Sequence, residues 1–125
     1  MGAEYTSQVR VVARSTLTKF VQNRVPRGQR RLVGEHLEAW YKLVSKARWA
    51  SSAELKEQLR SASIISAQRV VFNIKGNDYR LIAGVNYQRQ SIFIKWIGTH
   101  AEYDQIDAAK AQHQEERYGN LSDSK

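Results

Sequence analysis

Three runs rich in β-branched and aromatic residues, Arg69–Lys75, Tyr79–Tyr87 and Ile92–Gly98, constrain the fold of this chain most. Gly76-Asn77 separates the first two, and two-residue hairpin turns need such residues because they take positive φ at little cost. Gln88–Gln90 separates the second from the third, which predicts a three-stranded antiparallel meander.

Side chains alternate between the two faces of a strand, so parity assigns each residue a side. A two-residue turn at Gly76-Asn77 pairs Lys75 with Asp78 and hence Asn73 with Arg80. Val70, Phe72, Ile74, Tyr79, Leu81, Ala83, Val85, Tyr87, Ile92, Ile94 and Trp96 then form an apolar face for helices to cover. The opposite face receives Asn73, Lys75, Arg80, Phe93, Lys95, Ile97 and Thr99, with Asp78 as the only nearby acid.

Upstream, Val9–Ala13 is a predicted strand, and Ser15 is placed to cap a helix reaching about Gln22. Pro26 and Gly28 end that segment. From Gln29 to Ala47 the residues Val33, Leu37, Trp40, Tyr41 and Val44 recur at three- and four-residue steps, which predicts an amphipathic helix with a basic outer side. His36 falls beside that stripe and is expected to be partly buried. Ser51-Ser52-Ala53-Glu54 has capping-box spacing and opens a short helix. Thr99-His100-Ala101-Glu102 has the same spacing, and a final helix is expected over residues 100–117. Residues 1–8 read as a flexible leader, 9–118 as one domain and 119–125 as a polar tail.

The absence of cysteine excludes a disulfide scaffold, cysteine-based zinc sites and thiol catalysis, and makes a reducing cytoplasm the expected location. His36, His100 and His113 show no metal-binding spacing, and no glycine-rich phosphate loop is present, so neither a metal nor another cofactor is expected. The longest stretch free of Asp, Glu, Lys and Arg is eight residues, too short for a membrane helix, and no signal peptide is expected. The net charge of +8 is uneven: residues 1–99 carry +11 and residues 100–125 carry −3. Such a surface attracts polyanions if its cations converge. Arg80, Lys75, Lys95, Asn73 and His100 share one sheet face and the start of the last helix, where free backbone N–H groups suit a phosphate. The competing reading is a half-exposed sheet wearing Lys and Arg for solubility.

The runs Val-Val-Phe-Asn-Ile-Lys-Gly-Asn-Asp-Tyr-Arg-Leu-Ile and Ile-Lys-Trp-Ile-Gly-Thr-His-Ala-Glu-Tyr-Asp-Gln-Ile-Asp, within Val70–Asp107, closely resemble the HigB toxins of bacterial type II toxin–antitoxin systems, in the RelE superfamily. The Val9–Ala13 strand and the Trp40-Tyr41 helix also look like that family's first half. The resemblance implies an α+β fold: a small antiparallel-rich sheet, helices packed on one face and a C-terminal helix. It implies an endoribonuclease that cleaves mRNA on the translating ribosome without a metal. A cognate helix-turn-helix antitoxin of the HigA type would neutralise it, with DNA reached only through that partner.

The same resemblance assigns roles. His100 becomes the candidate for proton transfer, since a free imidazole titrates nearest neutrality, and the alternative is an exposed residue at a helix start. Arg80, on the Tyr-Arg-Leu strand, would clamp the phosphate, or else serve as cross-strand partner of Asn73. Lys95 would add charge beside it, or merely solvate the sheet. Tyr103 would stack on a base or assist proton transfer, or pack the helix. Asn73 would orient the substrate or His100, while Lys75 and Asn77 would contact RNA. Glu102 is first of all the capping-box acid, with a place at the RNA as the lesser reading. Trp40 and Trp96 are expected in the core, and Trp49 is open to either role. The competing functions are a basic module that binds RNA or the ribosome without cutting, and an inactive antitoxin-bound partner in operon repression.

Overall fold

Asn73 stands opposite Arg80 and Ile74 opposite Tyr79, so the first hairpin forms in the register that the Gly76-Asn77 turn predicts. Asp78 N–H donates to the Lys75 carbonyl at 3.1 Å to close the turn. The positive φ values fall on Lys75 (54°) and Gly76 (64°), one residue earlier than the Gly-Asn pair implies. The computed structural model describes residues 9–112. The leader, the tail, His113 and the end of the last predicted helix lie outside the described residues.

The elements run β1 (Arg10–Val12), α1 (Ser15–Arg24), a 3₁₀ turn (Arg27–Gln29), α2 (Arg30–Ser45), α3 (Ser52–Gln58), β2 (Ser63–Ser66), β3 (Arg69–Ile74), β4 (Tyr79–Asn86), β5 (Ser91–Thr99) and α4 (His100–Tyr103). They build a mixed sheet in the order β1-β5-β4-β3-β2, an α+β architecture. β1 lies parallel to β5, and the other neighbours are antiparallel. The meander therefore has four strands. Its first, β2, is a two-isoleucine segment between serines on the sheet edge, too short for a clear alternating pattern.

The helices bury the apolar face. Val33, Leu37, Trp40 and Val44 of α2 enter the main core with Leu17 and Phe20 of α1. Trp40 packs edge-on to Phe72 at 5.3 Å between ring centroids, and Phe20 to Tyr79 at 5.7 Å. His36 is exposed rather than partly buried, because its step of about 100° from Leu37 turns it off the inner stripe. Arg14, not Ser15, occupies the N-cap of α1 and makes no side-chain cap bond. Ser51 does cap α3, accepting from Glu54 N–H at 3.4 Å, while Glu54 accepts from Ala50 N–H at 2.8 Å. Trp49 is core: its indole N–H donates to Gln58 at 2.7 Å.

A bulge overturns the predicted parity of β5. Ile82 faces Trp96, yet the next residue, Ala83, faces Ile94, so Lys95 is the extra residue. Beyond it each side chain changes sides. Trp96 leaves the helix-covered face and joins Val71 and Ile82 on the opposite one, while Ile97 enters the main core. The opposite face is thus not simply polar. Tyr103, Ile106, Ala108 and Ala111 pack onto its Val71–Ile82–Trp96 centre.

That packing explains why the last helix stops at Tyr103 instead of continuing. Asp107 accepts from Ala109 N–H at 3.0 Å, a local bond that competes with helix. Arg69 donates to the carbonyls of Ala108 and Ala111, tying this irregular segment to β3. Among the described residues no helix is long and apolar enough to cross a membrane.

Candidate active site

The β3–β4 turn, the end of β5 and α4 meet at one end of the sheet. Arg80 is held between Asn73 on β3 and Gly98 on β5, and Tyr79 pairs with Thr99. The amide of His100 donates to the Asp78 carbonyl at 3.0 Å, which fastens α4 to the turn. These local pairings bring Asn73, Lys75, Asn77, Arg80, His100, Glu102 and Tyr103 to one region.

Charge partners then distinguish the cations. Lys75 donates to Asp78 at 2.7 Å, and this bond holds the ammonium above its ordinary pKa. It is a fixed, locally neutralised charge and unsuited to accepting a proton. Arg24, arriving from the end of α1, binds Glu102 Oε2 at 2.9 Å. Arg80 instead donates to neutral oxygens, the Asn77 carbonyl at 3.2 Å and Asn77 Oδ1 at 3.5 Å. Among the described residues its guanidinium has no carboxylate partner, and it makes no hydrogen bond with Asn73. It lies 5.8 Å from the Tyr103 ring centroid, and that ring tilts against Trp96 at 6.2 Å.

His100 leaves about half of its side chain exposed, 48%, with Nε2 3.6 Å from Asp104 Oδ1. Glu102 completes both halves of the capping box: Oε1 accepts from Thr99 N–H at 2.9 Å, and Glu102 N–H donates to Thr99 Oγ1 at 3.1 Å. The expected phosphate-binding helix start is therefore largely spent. The amides of Thr99, His100 and Glu102 are already bonded, and α4 is a single turn. Asp78 is also not the only acid here, since Glu102 and Asp104 stand beside it.

Lys95 lies elsewhere. Its Cε is near Gly84, where an added Cβ would come within 3.3 Å, and its ammonium lies 4.8 Å over the Phe93 ring. Gly84 is four residues from Arg80 along β4, about 13 Å at the usual strand rise. Asn73 and Asn77 line a shallow depression with Ser61 and Gly76. Arg24 and Asp104 had no distinguishing sequence signal: Arg24 is 78 positions from its partner, and Asp104 looked like one more polar helix residue.

A mixed five-stranded sheet with helices on one face, leading into a one-turn helix at an arginine-bearing hairpin, is the architecture of a RelE-like domain. Residues 33–106 match the HigB toxin family, the RelE-like toxic component of a toxin–antitoxin system, and the chain belongs to that family. As a toxin of such a system it has an antitoxin partner. No curated protein sequence matches the chain.

Proposed function

We propose that this toxin is a cytoplasmic endoribonuclease that cuts messenger RNA on the translating ribosome, neutralised by a HigA-like helix-turn-helix antitoxin. The observation that carries this reading is Arg80: a guanidinium fixed by Asn77 and by its strand neighbours, without a carboxylate among the described residues to neutralise it, at the hairpin to which His100 is fastened. Such a charge suits phosphoryl oxygens as negative charge builds on them.

The reaction needs no metal. A base takes the proton of a ribose 2′-OH, O2′ attacks the adjacent phosphorus, the bond to O5′ breaks, and O5′ takes up a proton. The products are a 2′,3′-cyclic phosphate and a 5′-OH. His100 moves one of these protons, and its exposure leaves it accessible to a strand from solvent. Tyr103 lies beside Arg80 and offers its hydroxyl as a second group for proton transfer. Asn73 and Asn77 supply amides that orient the strand. Lys75, already paired, contributes a distant charge, and Lys95 acts on the RNA backbone away from the cut. Glu102 acts through the cap that positions His100.

In vitro translation with primer-extension mapping tests this. Wild-type protein should give fragments ending in 2′,3′-cyclic phosphate. His100→Ala should abolish cutting while ribosome association persists. Intact messenger during growth arrest would overturn the reading, and fragments ending in 3′-OH and 5′-phosphate would overturn the 2′-OH attack.

A further inference from the structure

Far from the His100 cluster, the start of β5 carries an exposed aromatic side chain between two basic concavities. Phe93 is 46% exposed on the face opposite the helices. On one side of it lies an open concavity of about 920 Å3, with Arg10, Arg48 and Arg89 in its wall. The second concavity, also lined by Phe93, holds Lys95, whose ammonium lies over the Phe93 ring. No Asp or Glu among the described residues lines either one. None of the three arginine side chains has a polar partner among the described residues. Elsewhere, Arg14, Arg24, Arg31 and Lys75 are each matched to a carboxylate.

Clustered guanidinium groups repel one another unless an anion joins them. A ring flanked by unpaired cations in open grooves meets the needs of one ligand in particular. A single-stranded nucleic acid offers a base to stack and phosphates on both sides. Gly84 contributes by lacking a Cβ, which lets the Lys95 stem lie across it toward Phe93.

We infer that Phe93, with Arg10, Arg48 and Arg89, forms a docking site for single-stranded RNA, separate from the His100–Arg80 cluster. Phe93 lies six positions before Thr99 on β5, about 20 Å along the strand. The site therefore takes nucleotides distant from the scissile bond. It rests on RNA being the substrate, but its test does not require cleavage.

The test is fluorescence anisotropy of the full chain with a labelled oligoribonucleotide of about twelve nucleotides, 2′-O-methylated to prevent cutting. Phe93→Ala should weaken binding by about 5- to 100-fold, the loss of one stacked base, while Phe93→Trp retains it. Arg10→Ala, Arg48→Ala and Arg89→Ala should each reduce the slope of log affinity against log salt by about 0.7. Leu43→Ala, at an exposed apolar residue of α2 outside both concavities, should bind as wild type. Unchanged RNA affinity in Phe93→Ala overturns the inference. So does loss of antitoxin binding with RNA affinity intact, which would assign the surface to the protein partner. Failure of the cleavage assay, with these binding effects present, would refute only the nuclease reading.

Discussion

Glu102 is the residue whose removal best separates a structural role from a chemical one. Both of its carboxylate oxygens are engaged: Oε1 accepts from the Thr99 amide at 2.9 Å and Oε2 from Arg24 at 2.9 Å. Glu102→Ala removes the reciprocal half of the cap, which costs about 1 kcal/mol. It also removes an ion pair whose side chains are 32% and 37% exposed, so solvent screening limits that loss to about 0.2–1 kcal/mol. The sum, about 1.5 kcal/mol, corresponds to a fall of roughly 5–10 °C in Tm for a domain of this size. Glu102→Gln keeps an oxygen for the Thr99 amide and loses only the charge, so its Tm should fall by less than half as much. Scanning calorimetry and messenger-cleavage rates at a temperature where all variants are folded make the comparison. Under the capping role, Glu102→Gln cuts within about threefold of wild type. A general acid or base contributes roughly 10²–10⁴-fold. A Glu102→Gln protein with near-native Tm but a loss of that size would refute the capping argument and make the carboxylate part of the chemistry.

Three further outcomes are expected. Arg80→Lys keeps the charge but not the two-pronged donor, so cleavage should fall at least tenfold with RNA affinity within threefold, and equal rates would show that only charge matters there (about tenfold per 1.4 kcal/mol). Trp96→Ala should destabilise the fold by about 3–5 kcal/mol in urea and expose residues 104–111 to protease, whereas a loss below about 1 kcal/mol would contradict the packing of that segment on Trp96. Tyr87 is held above its ordinary pKa by burial, and its hydroxyl has no hydrogen-bond partner among the described residues. Its neutral form therefore adds stability that is complete below about pH 10 and lost as pH rises through the raised value. Tyr87→Phe should flatten the alkaline decline of Tm and raise the neutral-pH stability by about 1 kcal/mol, and an unchanged slope between pH 9 and 11 would exclude Tyr87 as its source.

The strand pattern and turn chemistry were legible because they depend on neighbours in sequence. The Asn73–Arg80 pairing follows from strand alternation plus one turn, and both Thr99-x-x-Glu102 hydrogen bonds from helix geometry alone. The two quoted motifs pointed to the family in the same way. The bulge at Lys95 was not legible, since one extra residue in a run of Ile, Phe, Lys and Trp leaves the composition of the run unchanged. Tertiary packing alone decided that Trp96 turns away from the helices, that residues 104–111 cover it, and that Lys95 sits by Phe93 rather than Arg80. Charge pairing was decided there too. Arg24 and Glu102 are 78 residues apart, and only their contact shows that, among the described residues, Arg80 and not Arg24 is left without a carboxylate partner at that end. Local periodicity determines which side chains share a strand face. Long-range contacts determine which of them remain free to meet a ligand.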